Sequence, residues 1–270
     1  YFYEVVYDHI LARKSGLYCM GEFRVGKTKA IQNAILRLEK DMPWAAIFFH
    51  SAERALHQTK KAFCLALSRS INCPISKRQN PSDCLTRYLM THAVKAGSKT
   101  CVIFIDEAQM LTVMQMRYLL EIWNDLRREG FILVTILIGQ KDLDSLKQLT
   151  SEEDHGAVVA RFFVRDIYIG GLHSKEQLFE YLSAFDSKLT YPSESEWTYT
   201  RFFCQKAFDA GWRLSSEAGN FWNSLMFQAT PSGKTLRLAG FRLAFVNDAI
   251  HGFLLDSMKL DKPKFKGSKK

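Results

Sequence analysis

The chain has 270 residues, of which 47% are hydrophobic and 24% are charged, with 15 glycines and 6 prolines. These values exclude a disordered, collagen-like or low-complexity protein, and no apolar run reaches the roughly 20 residues that cross a bilayer, so we expect a folded, soluble protein. The net charge of +9 is uneven, with +7 in residues 51–100 and +5 in residues 259–270. This distribution predicts a polyanionic partner, and a solubilising surface with a frayed tail is the alternative.

Short apolar strands alternate with amphipathic helices in the first 170 residues. The predicted strands are residues 16–20, 45–49, 101–105, 132–138 and 164–169, and the predicted helices between them are residues 27–38, 56–71, 82–96 and 112–128. Apolar positions in these helices recur at three-to-four spacing. The alternation predicts an α/β fold with a parallel sheet flanked by helices.

The predicted strands stop at Gly170-Gly171, and the elements that follow are all helical. These predicted helices are residues 174–188, 194–210, 215–228 and 241–257. We therefore expect an α/β domain in residues 1–170, a small helical domain in 171–258 and a basic flexible tail in 259–270. The first residue is not Met and no secretion signal follows it, so we expect additional sequence before it.

The six cysteines show no paired C-x-x-C spacing, and several lie inside apolar runs. A thiol in such a run behaves as a small hydrophobic side chain. We therefore expect six free thiols, no zinc site and a reducing cytoplasmic environment.

A glycine-rich segment, GEFRVGKT at 21–28, lies directly between a predicted strand and a predicted helix. It matches G-x4-G-K-[ST], in which backbone N–H groups surround phosphates and the helix N-terminus adds a positive dipole. We expect Lys27 to reach the terminal phosphates and the Thr28 hydroxyl to bind Mg²⁺. A simple glycine-rich turn is the alternative. The predicted nucleotide-binding residues here are Gly21, Glu22, Phe23, Arg24, Val25, Gly26, Lys27, Thr28 and Lys29.

The second motif is acidic. It is CVIFIDEAQ at 101–109, in which Asp106 and Glu107 end a buried strand. An acid at the carboxyl end of a parallel strand points into the crevice where nucleotides bind. Asp106 is predicted to hold Mg²⁺, and Glu107 to polarise the attacking water as general base. A strand that simply runs into a solvated loop is the alternative for this motif alone.

Three further polar residues follow. Gln140 comes after the strand ILVTILIG and is predicted either to respond to the terminal phosphate or to orient the attacking water, and a turn residue is the alternative. Arg161 and Arg165 surround the last predicted strand. In an oligomeric ATPase, an arginine can stabilise charge on a neighbour's terminal phosphate, whereas local spacing alone is equally consistent with surface arginines.

Together these motifs and the helical C-terminal part resemble AAA+ ATPases. Within that superfamily, residues 5–256 most resemble transposon target-selection regulators of the TnsC/TniB type. The segments that carry the resemblance are RKSGLYCMGEFRVGKT, IDEAQML, ILIGQKDLDSL and VVARFFVRDIYIGGLHSKEQ. IDEAQ and LIGQ also occur in secretion ATPases of the ExeA type.

The resemblance implies an AAA+ P-loop NTPase fold with a helical lid, and hydrolysis of ATP with Mg²⁺ at a site that a neighbouring subunit completes. Gln140 then corresponds to the first sensor, and Arg161 to the arginine supplied in trans, with Arg165 as its substitute. Arg242 corresponds to the second sensor in preference to Arg237, although Phe241 replaces the usual glycine before it.

The resemblance also gives the basic segment a role. Such proteins assemble as rings or filaments on double-stranded DNA, and contact its backbone through residues that correspond here to Arg54, Lys60, Lys61, Lys77 and Arg78. For each of these residues alone, a solvated helix face is the alternative. The implied partners are a transposase and a target-recognition protein of the TniQ/TnsD type, in the bacterial cytoplasm on DNA and without a membrane. The alternatives are a secretion or pilus-type ATPase, a replication-initiator or helicase-loader ATPase, and a monomeric signalling module.

Overall fold

The computed structural model describes residues 1–54, 59–76, 78–152, 156–229 and 240–263. They divide into two compact units: residues 1–22 with 27–169 form the first, and residues 23–26 with the described residues from 170 onward form the second. Two predicted site residues, Lys77 and Arg237, and the end of the predicted tail lie outside the described residues.

The first unit contains a parallel sheet of five strands in the order β2-β3-β4-β1-β5. The strands are β1 (Gly16–Met20), β2 (Ala46–Ser51), β3 (Thr100–Asp106), β4 (Ile132–Gly139) and β5 (Arg165–Tyr168). The predicted parallel sheet flanked by helices is confirmed. Because β1 and β3 both lie beside β4, the segments that follow their carboxyl ends meet at one edge of the sheet.

Seven helices are described in the first unit. They are α1 (Phe2–Leu11), α2 (Lys27–Asp41), α3 (Lys60–Ser70), α4 (Pro81–Lys95), α5 (Val113–Arg128), α6 (Asp142–Glu152) and α7 (Gly156–Phe162). Helices α1, α6 and α7 were absent from the predicted elements. The aromatic and β-branched composition of α1 favours strands when it is considered alone, and α7 is too short to show a clear helical period.

Alternate side chains of the strands pack on opposite faces of the sheet. In β3, Val102 and Phe104 join a core with α1 and α2, whereas Ile103 and Ile105 join a core with α3 to α7. All seven β3 residues are buried. This continuous burial is typical of a parallel strand covered by helices on both faces.

The second unit is helical, with its own apolar core. Its described α-helices are α8 (Lys175–Ser187), α9 (Tyr199–Phe203), α10 (Gln205–Asp209), α11 (Ala218–Ala229) and α12 (Leu243–Met258). The predicted continuous helix over 194–210 is wrong. Helix α9 starts only after Thr198, whose hydroxyl accepts the Arg201 N–H, and the non-helical backbone of Cys204, with φ −134° and ψ 61°, separates α9 from α10. Proline and small polar residues at 192–195 favour a turn over a helix.

Two buried or partly buried carboxylates satisfy backbone donors in this unit. Asp186 accepts the N–H groups of Leu214 and Ser215 at 2.9 and 3.0 Å. Asp261, inside the predicted tail, accepts the N–H groups of Lys206 and Ala207 at 2.9 Å. The first part of the predicted tail therefore makes a specific contact with the start of α10.

The six cysteines are free thiols, and all but Cys84 are buried. The described residues contain no group of three or more His, Cys, Asp and Glu side chains arranged to hold a metal ion. Within the same ranges, no helix combines the length and the apolar composition needed to span a bilayer.

A buried histidine makes the stability of the first unit depend on pH. His9 on α1 is 1% exposed. Burial, with the positive charges of Lys14 and Arg165, lowers the pKa of His9 from 6.5 to about 4. Between these values the unfolded chain binds a proton that the folded chain does not, so the free energy of unfolding falls as pH falls.

Between pH 7 and pH 5, we expect the free energy of unfolding of the parent protein to fall by about 2 kcal/mol more than that of His9→Leu. The variant lacks the imidazole that takes up a proton in the unfolded chain. Urea titrations at both pH values measure this difference. His173→Gln, at an exposed histidine, is the control and should keep the parent pH dependence. Equal pH dependence in His9→Leu and the parent protein would contradict the prediction.

Candidate nucleotide-binding site

The glycine-rich segment joins the end of β1 to the start of α2, as its sequence predicts. The Gly21 N–H donates to the carbonyl of Gly139, the last residue of β4, at 3.1 Å. Gly26 has a φ of +93°, a conformation that glycine adopts without the steric cost that a Cβ would bring. Gly26 is therefore a position where the segment uses the conformational freedom of glycine, and the predicted wrapping of phosphates by its N–H groups stays a prediction.

Lys27 is almost fully buried, with 7% of the residue exposed. Its Nζ donates to the carbonyls of Gly21 and Glu22, both at 2.9 Å. Burial lowers the pKa of Lys27, while the carboxylates of Glu107, Asp106 and Glu22 oppose that shift. An ammonium has three N–H donors, so a buried cation with donor capacity beyond these two bonds lies at the start of α2.

Thr28 and Asp106 meet although 78 positions separate them in the chain. The Thr28 hydroxyl donates to Oδ2 of Asp106 at 2.9 Å, and Oδ1 of Asp106 accepts the N–H of Glu107 at 3.0 Å. Asp106 is 3% exposed. A hydroxyl and a carboxylate in contact are the hard oxygen donors that Mg²⁺ prefers, so these two residues fit the predicted magnesium ligands.

Glu107 follows the strand in a left-handed conformation, with φ 52° and ψ 36°. Its carboxylate accepts a hydrogen bond from Nε2 of Gln109. Gln109 was not among the predicted site residues. The motif IDEAQ contains it, but its contacts depend on the turn that Glu107 makes after β3, and the sequence pattern does not specify that turn.

Gln140 contributes its backbone to the same cluster. The Gln140 N–H donates to Oε1 of Gln109 at 3.1 Å, and the neighbouring Lys141 pairs with Glu22 at 3.0 Å. Gln109 therefore links the residue after β3 to the residue after β4. The sensor role of the Gln140 side chain stays a prediction.

Five of the predicted residues thus lie together at the carboxyl edge of the sheet. They are Lys27, Thr28, Asp106, Glu107 and Gln140. Lys29 is different, because it lies on the exposed side of α2 and donates to Gln32 at 3.1 Å. Its predicted contact with nucleotide stays a prediction.

Arg161 lies away from this cluster. It is on α7, and its guanidinium stacks on the Trp123 ring, 4.9 Å from the ring centroid. It lines a cavity with Ser15 and Ile132, which stand at the starts of β1 and β4. Arg165 is exposed at the start of β5. Both arginines are therefore at the amino edge of the sheet, opposite to Lys27.

The middle of the glycine-rich segment belongs to the second unit. There the carbonyl of Arg24 accepts the N–H of Ala244 at 3.3 Å. Arg242 is the residue immediately before α12. Its predicted sensor role is untested by these contacts and stays a prediction.

The described residues of the predicted DNA surface follow β2 or lie in α3 and before α4. Arg54, Lys61 and Arg78 are exposed. Lys60 pairs with Glu121 on α5 at 2.7 Å, and this hydrogen bond raises the pKa of Lys60. Lys60 is therefore paired with a carboxylate of the same chain, and its predicted contact with the DNA backbone stays a prediction.

We expect Lys27→Ala to weaken binding of a nucleoside triphosphate about tenfold to a hundredfold, because it removes charge-assisted hydrogen bonds to phosphate. Isothermal titration calorimetry with Mg²⁺ and ATP measures the dissociation constant. Lys40→Ala, at an exposed lysine on the same helix, should bind as the parent protein does. Unchanged affinity in Lys27→Ala would contradict the assignment of this lysine.

Several solved structures are similar to this chain at low sequence identity. Among solved structures, the chain is similar to the ORC2 protein of Aeropyrum pernix (14% identity over 88% of this chain and 65% of that chain, TM-score 0.49). It is also similar to Cdc6p of Pyrobaculum aerophilum (16% identity over 80% of this chain and 56% of that chain, TM-score 0.46). Drosophila ORC bound to DNA is similar too (16% identity over 86% of this chain and 55% of that chain, TM-score 0.43). The chain thus spans less than two thirds of the length of each of these chains.

No curated protein matches the chain. A family model described as the AAA domain matches residues 11–146, which is just over half of the chain and includes both acidic and glycine-rich motifs. With its five-stranded parallel sheet, its glycine-rich loop and its helical C-terminal region, the chain has the AAA+ P-loop NTPase fold and belongs to the AAA domain family.

Proposed function

We propose that this protein binds and hydrolyses ATP with Mg²⁺, and that it acts as a regulator of transposition of the TnsC/TniB type, assembled on double-stranded DNA. The observation that carries the nucleotide part is the contact between Thr28 and Asp106 beside the buried ammonium of Lys27. A cation and two oxygen ligands at the carboxyl edge of a parallel sheet match the requirements of a magnesium nucleotide.

Each residue of the cluster has a distinct role in the proposed reaction. The Lys27 ammonium neutralises charge on the terminal phosphates, and Thr28 and Asp106 hold the metal. Glu107 polarises the attacking water, since its carboxylate lies next to the metal ligand along the chain. Mg²⁺, when bound, would offset charge on the phosphate oxygens. Gln140 orients the water or responds to the terminal phosphate.

The proposed assembly is head-to-tail, because the arginines of the first unit lie at the edge of the sheet opposite to Lys27. In this arrangement Arg161 reaches the terminal phosphate of an adjacent copy, with Arg165 as the alternative. Arg242, before α12, is proposed to contact the nucleotide as the second sensor. ATP would then stabilise the assembly, and hydrolysis would loosen it.

The proposed DNA surface consists of Arg54, Lys61 and Arg78, with Lys60 and Lys77 beside them in sequence. Three exposed cations within a segment of net charge +7 favour a backbone contact that does not depend on base sequence. The transposase and a TniQ/TnsD-like target-recognition protein are the proposed partners, and the bacterial cytoplasm is the proposed location. This step rests on the sequence segments that resemble the TnsC/TniB type.

Electron microscopy with a long random-sequence duplex tests DNA assembly. We expect rings or filaments on the DNA with a non-hydrolysable ATP analogue and none without nucleotide. Combined Arg54→Gln, Lys61→Gln and Arg78→Gln substitutions should abolish this coating at moderate salt, because the phosphate contacts are lost. If each cation releases counterions from one phosphate, the slope of log affinity against log salt concentration should fall by about 2.7.

The matched control carries Lys40→Gln, Lys188→Gln and Lys206→Gln, which remove the same charge from exposed positions elsewhere. It should coat DNA with the parent salt dependence. Intact nucleotide binding without DNA coating would contradict the DNA role and favour a secretion-type ATPase or a monomeric switch. A gene for a replicative helicase rather than a transposase next to this chain's gene would favour the helicase-loader alternative.

Mixing two inactive variants tests whether Arg161 acts in trans. Arg161→Ala lacks the proposed arginine and Glu107→Gln lacks the proposed base, so each should hydrolyse ATP at least about tenfold more slowly than the parent protein. An equimolar mixture should regain a measurable fraction of parent activity in a phosphate-release assay, because mixed interfaces contain one intact set. If activity returns only when Arg165→Ala is mixed with Glu107→Gln, then Arg165 is the arginine supplied in trans. If neither mixture regains activity, the proposal of a trans arginine is contradicted.

A further inference from the structure

The carboxamide of Gln109 makes two hydrogen bonds that fix its orientation. Its Nε2 donates to the Glu107 carboxylate, and its Oε1 accepts the backbone N–H of Gln140 at 3.1 Å. A carboxylate only accepts and a backbone N–H only donates. The opposite orientation of the amide would therefore lose both bonds, so the two partners leave Gln109 one arrangement.

Gly139 leaves the space in which this carboxamide lies. A Cβ on Gly139 would come within 2.4 Å of Gln109 Oε1. The carbonyl of Gly139 also accepts the N–H of Gly21, the first residue of the glycine-rich segment, at 3.1 Å. The end of β4 thus contacts the phosphate-binding segment on one side and Gln109 on the other.

The backbone and the side chain of Glu107 are held separately. Asp106 Oδ1 accepts the Glu107 N–H at 3.0 Å and supports its left-handed backbone conformation. The Glu107 carboxylate accepts the hydrogen bond from Gln109, and it also attracts the Lys27 ammonium, an interaction that depends less on direction. A glutamate side chain has three rotatable bonds, and without a restraint its carboxylate occupies several positions.

We propose that Gln109 is a positioning residue that holds the Glu107 carboxylate where it polarises the attacking water, and that it ties this carboxylate to the end of β4. The inference rests on the ATP hydrolysis proposed above. Because a general base acts only within hydrogen-bond reach of its water, the restraint changes the rate of the chemical step. It leaves nucleotide binding to Lys27 and the glycine-rich segment.

Steady-state hydrolysis by the full chain is the first test. We expect Gln109→Ala to lower kcat about tenfold to a hundredfold with KM for ATP within about twofold of the parent value. Gln109→Glu should be at least as slow, since it keeps an acceptor for Gln140 but repels Glu107. Gln148→Glu is the matched control, because Gln148 donates to Glu152 on the exposed side of α6 at 2.8 Å, and it should keep the parent kcat and KM.

Gly139→Ala should disturb the contact between Gln109 and Glu107 while residue 109 remains glutamine. Its methyl group displaces the Gln109 carboxamide, so it should lower kcat with little change in KM. Combined with Gln109→Ala it should cause no further loss, because both substitutions remove one restraint. In the Glu107→Ala background, Gln109→Ala should likewise have no further effect. Additive losses, or a parent kcat in Gln109→Ala, would overturn the proposal.

A spectroscopic test does not depend on hydrolysis. In ¹⁵N-labelled protein, the side-chain NH₂ signal that disappears in Gln109→Ala should shift in Glu107→Ala, and the backbone amide of Gln140 should shift in Gln109→Ala. Gln148→Ala should move neither signal. If the parent protein fails to hydrolyse ATP, the proposed function fails and these shifts decide the contact alone. A Gln109 signal that Glu107→Ala leaves in place would overturn the inference.

Discussion

The hydrogen bond from Thr28 to Asp106 joins the start of α2 to the end of β3, and the candidate site depends on it. It forms because β1 and β3 both lie beside β4, so the segments after their carboxyl ends converge. The contact cannot arise within one short segment, because 78 positions separate the two residues in the chain. The parallel strand order therefore brings oxygen groups from two separate motifs into contact.

The sequence predicted best those motifs whose residues also require particular secondary structure on either side. The segment ending in Gly26, Lys27 and Thr28 needs a strand before it and a helix after it, and both are present. Strand β3 is recognisable because burial on both faces requires an uninterrupted apolar run before Asp106. Such motifs are predictable since one short stretch contains all the residues that specify them.

The sequence pattern does not predict contacts that depend on turns or on aromatic packing. Gln109 reaches Gln140 only because Glu107 adopts a left-handed conformation, which a non-glycine residue seldom does. The stacking of Arg161 on Trp123 joins α7 to α5, and no periodic pattern relates those positions. The split between α9 and α10 depends on the backbone of Cys204, although the side chains around it suit a helix.

The position of Arg161 constrains how a complete site can form. Arg161 lies beside Ser15, before the five residues of β1, whereas the glycine-rich segment begins after them. At about 3.3 Å per residue, the strand alone separates these two ends by roughly 16 Å. An extended arginine side chain is much shorter than that distance, because six bonds of about 1.5 Å each, laid end to end, would span only about 9 Å. The Arg161 side chain therefore does not reach a phosphate bound at Lys27 of the same chain, and the trans contact proposed above needs a second copy.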